Sequence, residues 1–456
     1  MEQYDALLNK QKTFFNEGTT QSIHFREKQL KQLYKAVKEY ENEILSALYT
    51  DLHKSEFEAY SNEIGLVYTE IRYALKNIKK WSKRKRIRPE LFLRPGKTWI
   101  QPEPYGTVLI IAPWNYPFQL LFGPLVGAIA AGNTAVLKPS EFASATAHVM
   151  ERLIKSSFSS QYISIVQGEA EAATALLHLD FDYVFFTGSV PIGKKVMEAC
   201  SKKLIPHTLE LGGKSPAFVD ENADVKKAAR EIVFGKFNNA GQTCIAPDYV
   251  LVHTNLHRAF IDEMQKTIQQ FYGENPENNS DYGRIVNTKH FKRLEKMLDK
   301  DAIVYGGTKN KEALYIEPTI LGNIDWEHES MQEEIFGPIL PVLTYSNLDE
   351  AINIVRNKPK PLALYVFTKN KNTEQKILET VPAGGGGINN TLMHVASVKL
   401  PFGGAGSSGI GRYHGKATFE TFSNMKSILK KPAFPDMNLA YPGKRIGIKL
   451  LRWILR

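Results

Sequence analysis

Cysteine is scarce in this chain, with two among 456 residues. Disulfides therefore cannot be its main support, and its length allows two or more domains with sizeable apolar cores. A low cysteine content suits a reducing compartment. The first residues, Met1 to Asp5, are polar and do not form the apolar stretch of a secretory signal. We therefore expect a cytoplasmic protein.

Long apolar runs are absent as well. The longest extends from Leu120 to Ala131 and is interrupted by Gly123 and Pro124, well short of the roughly 20 residues that span a bilayer. It predicts a buried helix. Histidine and cysteine nowhere cluster at metal-ligand spacings, so no metal site is predicted.

Acidic residues are outnumbered by basic ones, 48 against 58, which gives a net charge of +10. Part of the excess surrounds Trp81, between Lys76 and Arg88. A basic surface can bind nucleic acid or an anionic membrane. No aromatic-interleaved motif, zinc-knuckle spacing or helix-turn-helix pattern accompanies this cluster, so we favour a solvated helix end and expect no nucleic-acid partner.

Strands and helices alternate along most of the chain, after helical patterns at 23–50 and 57–82. Strands are predicted at 107–111, 134–137, 163–166 and 183–186, with helices between them at 117–131, 142–156, 169–178 and 191–201. This order predicts a doubly wound parallel sheet with ligand sites at the carboxyl ends of its strands. A second alternating series, from Ser215, predicts a second α/β domain. The glycines at 384–387 predict a flexible joint.

One cysteine has the surroundings of a nucleophile. Cys244 follows the polar stretch Gly241-Gln242-Thr243, and thiolates attack carbonyl carbons near neutral pH. Cys200 lies in an amphipathic helical pattern instead and is predicted to be a buried structural thiol. Glu210, 34 residues before Cys244, opens a Glu-Leu-Gly-Gly-Lys turn and is a candidate base. The alternatives are an inert core cysteine and a salt-bridged surface glutamate.

Five further motifs accompany these two in a consistent order. They are Pro113-Trp114-Asn115, Lys138-Pro139-Ser140-Glu141, Phe186-Thr187-Gly188-Ser189, Glu334-Ile335-Phe336-Gly337-Pro338 and Pro401-Phe402-Gly403-Gly404. From about residue 25 to residue 425, the series resembles the NAD(P)-dependent aldehyde dehydrogenase superfamily. Each string alone is weak evidence, whereas their joint occurrence is specific. The sequence around Cys244 is most similar to the class 3 and fatty aldehyde branch.

The resemblance implies an α/β fold with a Rossmann-type cofactor domain, a second α/β catalytic domain and a small β oligomerisation arm. Residues 1–85 and 104–209 would form the cofactor-binding domain and residues 210–385 the catalytic domain. Residues 86–103 and 386–425 would be bridging or oligomerisation segments, and residues 426–456 a basic C-terminal tail. Because the branch is typically dimeric, the resemblance also implies a homodimer.

The cofactor turn departs from the usual dinucleotide fingerprint. Gly188 and Gly193 are five residues apart, so G-x-G-x-x-G is absent, and the longer spacing matches the looser turn that the resemblance implies. Taken alone, both could be ordinary turn glycines. Trp114, Ser189 and Leu211 are also predicted to contact the cofactor.

Two pairs of residues would bind the riboses of the cofactor. By resemblance, Lys138 and Glu141 bind the adenosine ribose, where a carboxylate disfavours the 2′-phosphate of NADP. NAD is therefore favoured, and NADP stays open. Glu334 would bind the nicotinamide ribose, with Phe336 beside the ring. A solvated ion pair and structural packing are the alternatives.

The resemblance implies oxidation of an aldehyde to its acid. Cys244 would form a thiohemiacetal and then a thioester, Asn115 and the Cys244 N–H would bind the oxyanion, and Glu210 would be the general base. A helix-capping Asn115 is the alternative. Coenzyme A acylating relatives typically lack the glutamate, so Glu210 favours hydrolysis. The expected substrates are medium to long aliphatic or aromatic aldehydes.

The alternative function is a basic membrane-surface or RNA-binding protein that retains the fold.

The last residues form a separate basic segment. Between Lys444 and Arg456 there are five basic side chains and no acid. On a helix Arg445, Lys449, Arg452 and Arg456 align, a pattern found in interfacial membrane helices but too short to span a bilayer. Peripheral membrane contact and packing against protein are equal alternatives here.

Overall fold

The computed structural model describes residues 2–433 and 448–455. Its α-helices are α1 (Glu2–Asn16), α2 (Ile23–Leu52), α3 (Glu56–Ala59), α4 (Gly65–Trp81), α5 (Gln119–Ala131), α6 (Ser144–Ser157), α7 (Ala170–Leu177), α8 (Val190–Ser201), α9 (Val225–Phe237), α10 (His257–Tyr272), α11 (Thr288–Lys296), α12 (Leu348–Arg356), α13 (Lys371–Thr380), α14 (Lys416–Thr421) and α15 (Ile448–Leu455). A π-helical turn, Tyr60–Ile64, joins α3 to α4.

The strands lie mainly in two large sheets and one small one. They are β1 (Lys85–Ile87), β2 (Lys97–Pro104), β3 (Thr107–Ile111), β4 (Thr134–Lys138), β5 (Ile163–Ile165), β6 (Tyr183–Thr187), β7 (His207–Glu210), β8 (Pro216–Val219), β9 (Tyr249–His253), β10 (Ile303–Tyr305), β11 (Lys309–Asn310), β12 (Tyr315–Ile316), β13 (Thr319–Leu321), β14 (Ile339–Tyr345), β15 (Ala363–Phe367), β16 (Gly385–Ile388), β17 (Gly409–Ile410) and β18 (Ser423–Lys430).

The first large sheet has six strands in the order β17-β7-β6-β3-β4-β5. Its strands are parallel except β17, which runs antiparallel to β7. The chain moves from β3 outward through β4 and β5, then returns to the other side of β3 through β6 and β7. Ligands bind at such a reversal, beyond the carboxyl ends of the strands. The predicted doubly wound sheet is confirmed, with strand bounds within one residue of the expected ones.

The second large sheet has seven strands in the order β10-β13-β14-β9-β8-β15-β16, parallel except between β10 and β13. It confirms the second predicted α/β unit. The prediction of a flexible joint at residues 384–387 is wrong, because β16 pairs with β15 over its whole length. Without side chains, the glycines of β16 let its backbone approach the neighbouring strand closely.

A small antiparallel sheet joins β1, β2 and β18. β18 pairs with β2 along eight residues, from Ser423 opposite Pro104 to Lys430 opposite Lys97. This continuous ladder crosses the predicted boundaries at residues 103/104 and 425/426. The predicted division into segments stays a prediction.

Helices cover the first sheet on both faces. Every residue of α5 is buried, which confirms the buried helix expected at residues 120–131. The sequence analysis predicts no helix at α1, whose buried side chains are Leu8 and Gln11. Gln11 Nε2 donates to Ala135 O and to Ser164 Oγ, each at 3.0 Å. Because α1 has a largely polar sequence, its attachment depends on contacts with residues distant in the chain.

The predicted basic tail is only partly described. Residues 448–455 form α15, as the pattern predicts, whereas residues 444–447 and Arg456 lie outside the described residues. Contact of this segment with a membrane stays a prediction. Among the helices that the structure describes, none is long and apolar enough to cross a bilayer.

Candidate active site

The carboxyl edge of the six-stranded sheet carries several predicted site residues. Asn115 follows β3, Lys138 ends β4, Ser189 follows β6 and Glu210 ends β7. Because β3 pairs with β4 and β6, and β6 pairs with β7, these residues occupy neighbouring positions on one edge. They lie where a doubly wound sheet binds its ligands.

The amino edge of the seven-stranded sheet meets this edge. Residues 211–215 connect Glu210 directly to β8, Cys244 lies in the turn before β9, and Glu334 lies just before β14. The site is therefore formed where the strands of one parallel sheet end and those of the other begin.

The turn that carries Cys244 has a left-handed backbone at its start. Asn239, Ala240 and Gly241 have φ angles of 52°, 49° and 74°, a conformation that is strained for residues other than glycine. A Cβ atom on Gly241 would lie 2.2 Å from the carbonyl oxygen of Gly337. The backbone of the nucleophile turn thus packs directly on the 334–338 motif.

Gln242 connects this turn to its surroundings. Its Nε2 donates to Arg284 O at 2.8 Å, and its Oε1 accepts from Val286 N at 3.0 Å. Its backbone oxygen accepts from Asn115 Nδ2 at 3.0 Å. Asn239 Nδ2 donates to Gln242 O at 3.1 Å and to Asn115 O at 2.9 Å. The structure therefore brings Asn115 to the nucleophile turn.

The thiol of Cys244 is partly exposed. The backbone N–H groups of Cys244 and Ile245 face its sulfur, which favours the thiolate. Burial raises the pKa of Cys244 to about 12, and the charges of Glu334 and Glu210 are the next largest contributions to this shift. Both glutamates thus lie close to the sulfur. Cys200 is buried in α8, where burial raises its pKa to about 11, as expected of a structural thiol.

Glu210 is the most isolated carboxyl of the site. It is 3% exposed, and its carboxylate oxygens have no hydrogen-bond partner within the described ranges. Burial raises the pKa of Glu210 well above its ordinary value, and the Arg412 guanidinium opposes this shift. A buried carboxyl with free oxygens can accept a proton from a water molecule at its side.

Glu334 lies against the glycines that follow Glu210. A Cβ atom on Gly212 would lie 2.1 Å from Glu334 Oε2, and the backbone N–H of Gly213 donates to the same carboxylate. Burial and, to a smaller extent, the charge of Asp248 raise the pKa of Glu334 to about 8. The Gly212-Gly213 pair therefore makes room for Glu334 beside Cys244.

Aromatic packing places Phe336 and Trp114 together. Their ring centroids are 5.4 Å apart in an edge-to-face arrangement, and Phe336 has a φ of 49°. Such a backbone conformation in a bulky residue is uncommon and occurs where a site constrains it. The 334–338 motif thus contacts the motif that carries Asn115.

Lys138 and Glu141 form a second, separate group. Lys138 Nζ donates to Pro139 O at 2.8 Å and lies 3.7 Å from Glu141 Oε2. Burial lowers the pKa of Lys138, and Glu141 opposes this shift. The pair lies at the end of β4, one strand away from the Cys244 group, so the structure does not bring it into that group.

The start of α8 offers a potential anion site. Ser189 is its N-cap residue and makes no side-chain capping bond, so its hydroxyl and the helix N–H groups can bind a phosphate. A Cβ atom on Gly193 would lie 2.6 Å from Leu211 Cδ2. The N–H of Gly188 donates to Glu210 O at 3.0 Å. The turn after β6 is therefore packed against the segment after β7.

Sequence reasoning assigned no contact to several residues around the site, namely the buried Lys54, Glu63 and Gln242 and the half-buried Tyr116 and Arg412. A glutamate such as Glu63 within an apolar helical pattern was the available signal. That signal does not show which residues the buried charge contacts. The ion-pair partner of Glu63, Lys54, binds the backbone of Asn115, 61 positions away in the sequence.

The family comparison agrees with this geometry. A family model described as the aldehyde dehydrogenase family matches residues 1–428. The chain belongs to the aldehyde dehydrogenase family. It is therefore an oxidoreductase that acts on aldehydes, and the resemblance stated from its motifs is confirmed.

Three relatives illustrate the similarity. This aldehyde dehydrogenase is 54% identical over 443 residues to a 4,4'-diaponeurosporen-aldehyde dehydrogenase of Staphylococcus aureus, across 97% of this chain and 96% of the relative. It is 44% identical to aldehyde dehydrogenase family 3 member A2 of Mus musculus, across 91% and 86%. It is 40% identical to an "aldehyde dehydrogenase, dimeric NADP-preferring" of Canis lupus familiaris, across 96% and 97%. The predicted class 3 branch is confirmed.

Two solved structures share the fold. The substrate-bound state of Staphylococcus aureus AldH matches with a TM-score of 0.97 and 50% identity, over 99% of both chains. The P. syringae AldA indole-3-acetaldehyde dehydrogenase matches with a TM-score of 0.86 and 26% identity, over 94% of this chain and 89% of its own. That structure contains NAD⁺, in agreement with the predicted class of cofactor.

Proposed function

We propose that this aldehyde dehydrogenase oxidises a long apolar aldehyde to the carboxylic acid through a thioester on Cys244. The proposal is supported by one observation above all: Asn115, Glu210 and Glu334, which belong to distant parts of the sequence, come together around the Cys244 turn. A nucleophile, an N–H donor and a buried base are the groups that acyl transfer needs.

In the first half-reaction the Cys244 thiol loses its proton to solvent, and the thiolate sulfur adds to the carbonyl carbon of the aldehyde. Negative charge then develops on the oxygen, where Asn115 Nδ2 and the backbone N–H of Cys244 are available donors. One amide hydrogen of Asn115 binds Gln242 O, which leaves the other for the oxyanion. Loss of one such donor costs about 2.7–4 kcal/mol in other enzymes. When bound, NAD(P)⁺ supplies the acceptor for the hydride that leaves the carbon.

In the second half-reaction water hydrolyses the thioester. Glu210 takes a proton from the water, the oxygen adds to the acyl carbon, and the carbon–sulfur bond breaks to release the acid and the Cys244 thiolate. The raised pKa of Glu210 makes the ionised carboxylate a stronger base than a solvent-exposed glutamate.

Substitutions at Cys244 and Glu210 separate the two half-reactions. Cys244→Ala should abolish NADH formation while NAD⁺ binding is retained. Glu210→Gln should give a first-turnover burst of NADH followed by a steady-state rate lower by about 10²- to 10⁴-fold, as measured by stopped-flow absorbance. Cys200→Ala is the matched control and should behave as wild type. Near-native turnover by Cys244→Ala would contradict the proposal.

The cofactor-facing residues suit a dinucleotide. Ser189 and the start of α8 can bind the diphosphate, Glu334 can accept from ribose hydroxyls, and the Lys138–Glu141 pair is available for the second ribose. We propose NAD⁺ as the preferred cofactor, because the Glu141 carboxylate disfavours a 2′-phosphate.

The binding of NAD⁺ should depend on pH through Glu334. Only the ionised carboxylate is a full acceptor for ribose hydroxyls, and burial raises its pKa to about 8. Affinity should therefore increase as the pH rises through about 8 and level off above it, whereas Glu334→Gln should flatten this profile. Calorimetric titration across this range measures the effect, and an unchanged slope in the variant would refute the assignment.

The surroundings of Cys244 support an apolar substrate. Tyr365 and Tyr413 are buried near the thiol, and Tyr116 is half-buried there. Burial raises the pKa of each tyrosine, and the charge of Cys244 adds to the shift. Tyr365 also donates its hydroxyl to Ile245 O at 2.6 Å, beside the nucleophile. Aromatic walls of this kind favour hydrocarbon over charged substrates. The name of the Staphylococcus aureus relative specifies a 4,4'-diaponeurosporen-aldehyde, which agrees with this class.

Substrate preference can be measured with a series of straight-chain aldehydes. The value of kcat/KM should rise by up to about fourfold per added methylene until the apolar site is filled, because each buried methylene contributes about 0.8 kcal/mol. A short aldehyde with a charged end group provides the control. Equal kcat/KM values along the series would exclude an extended apolar site.

We further propose that the enzyme is a homodimer. The strand β1 is exposed along its length, and Leu91 and Phe92 beside it are 57% and 52% exposed. An exposed sheet edge with apolar neighbours is typical of an oligomer contact. Light scattering should give twice the chain mass of 51.5 kDa, and a monomer mass at micromolar concentration would contradict the proposal.

A further inference from the structure

A buried ion pair lies directly behind the turn that carries Asn115. Lys54 follows α2, and Glu63 belongs to the π-helical turn. Lys54 Nζ lies 2.5 Å from Glu63 Oε1, and both side chains are 0% exposed. Burying two charges is costly, and replacing such a pair with apolar residues often leaves stability unchanged or improved. Stability alone therefore does not explain this pair.

The contacts of the pair are concentrated on residues 115–119. Lys54 Nζ donates to the backbone oxygen of Asn115 at 2.7 Å and lies 4.0 Å from the ring centroid of Tyr116. Glu63 Oε2 accepts from the backbone N–H of Phe118 at 2.8 Å and of Gln119 at 3.2 Å. The two charges thus fix the backbone on either side of the turn from Asn115 into α5.

The same segment also contacts the nucleophile turn. The buried carboxyl of Glu58 faces the backbone N–H of Asn239. Burial raises the pKa of Glu58 to about 7, and the charge of Lys54 opposes this shift. Asn239 in turn donates to Asn115 O, the oxygen that Lys54 binds. The segment 54–63 therefore supports both sides of the contact between Asn115 and Gln242.

We propose that Lys54 and Glu63 are positioning residues, which hold the Asn115 backbone so that its side-chain amide reaches the oxygen of a substrate bound to Cys244. This inference rests on the proposed oxyanion role of Asn115. A displacement of about 1 Å in such a donor can lower a rate by about 10²-fold. A pair remote from the substrate would in this way control the first half-reaction.

The test is a double-mutant cycle with Asn115. Lys54→Met combined with Glu63→Gln removes both charges together, and the new amide still offers an acceptor to Phe118 N. In the wild-type background this change should lower the single-turnover rate of NADH formation by about 10²-fold. In the Asn115→Ala background it should have no more than about a twofold further effect, as expected when both changes remove one interaction.

Further readouts separate positioning from a general loss of structure. The decrease in the single-turnover rate should lie in the hydride-transfer step. The kinetic isotope effect measured with the 1-deuterated aldehyde should therefore increase. The Kd for NAD⁺ and the rate of Cys244 alkylation by iodoacetamide should stay within about twofold of wild type. The matched control is Lys35→Met with Glu39→Gln, an exposed pair on α2, which should change none of these quantities.

The outcomes distinguish failure of the oxyanion role of Asn115 from failure of the positioning role of Lys54 and Glu63. If Asn115→Ala keeps a normal single-turnover rate, the proposed oxyanion role fails. If Asn115→Ala is slow but the Lys54 and Glu63 changes are neutral, or multiply with it, the positioning inference alone is overturned. If the double variant does not fold, Glu63→Asp retains the charge and retracts it by one methylene. It should show the same non-additivity with Asn115→Ala, and additive behaviour would again overturn the inference.

Discussion

The site depends on the junction between two sheets, where Asn115 Nδ2 donates to the backbone oxygen of Gln242 and Asn239 Nδ2 donates to Asn115 O. It connects the carboxyl edge of the six-stranded sheet to the amino edge of the seven-stranded sheet. Each edge carries only part of the chemistry: the N–H donor and Glu210 come from the first, and Cys244 and Glu334 from the second. Aldehyde oxidation of the proposed kind requires both, because the attacked carbon must touch the nucleophile and the oxyanion donor together.

Burial is the common cause of the electrostatic properties of the site. It is the largest contribution to the raised pKa of Cys244, of Glu210 and of Glu334. The same low polarity that disfavours these charges strengthens every hydrogen bond made to a charged intermediate. Two backbone N–H groups face the Cys244 sulfur and one faces Glu334, so main-chain dipoles compensate where water is excluded.

Residues around the site hold its hydrogen-bond donors in fixed positions. Fixed dipoles stabilise a developing charge only if they do not reorganise during the reaction. Gln242 is bound on its side-chain nitrogen, its side-chain oxygen and its backbone oxygen. The left-handed backbone at Asn239 and Ala240 is strained, and the packing of Gly241 on Gly337 explains how the fold maintains it.

The sequence by itself determined the strand and helix order of the first large sheet, the buried helix α5 and the candidate residues for the chemistry, because period, turn residues and short motifs are local properties. Only the tertiary structure decided which of these residues meet. It placed Glu334 beside Cys244 and kept Lys138 with Glu141 in a separate group. It also shows the helix α1, the pairing of the glycine-rich β16 with β15, and the buried ion pair of Lys54 and Glu63. These features depend on partners distant in the chain, and periodicity carries no information about such partners.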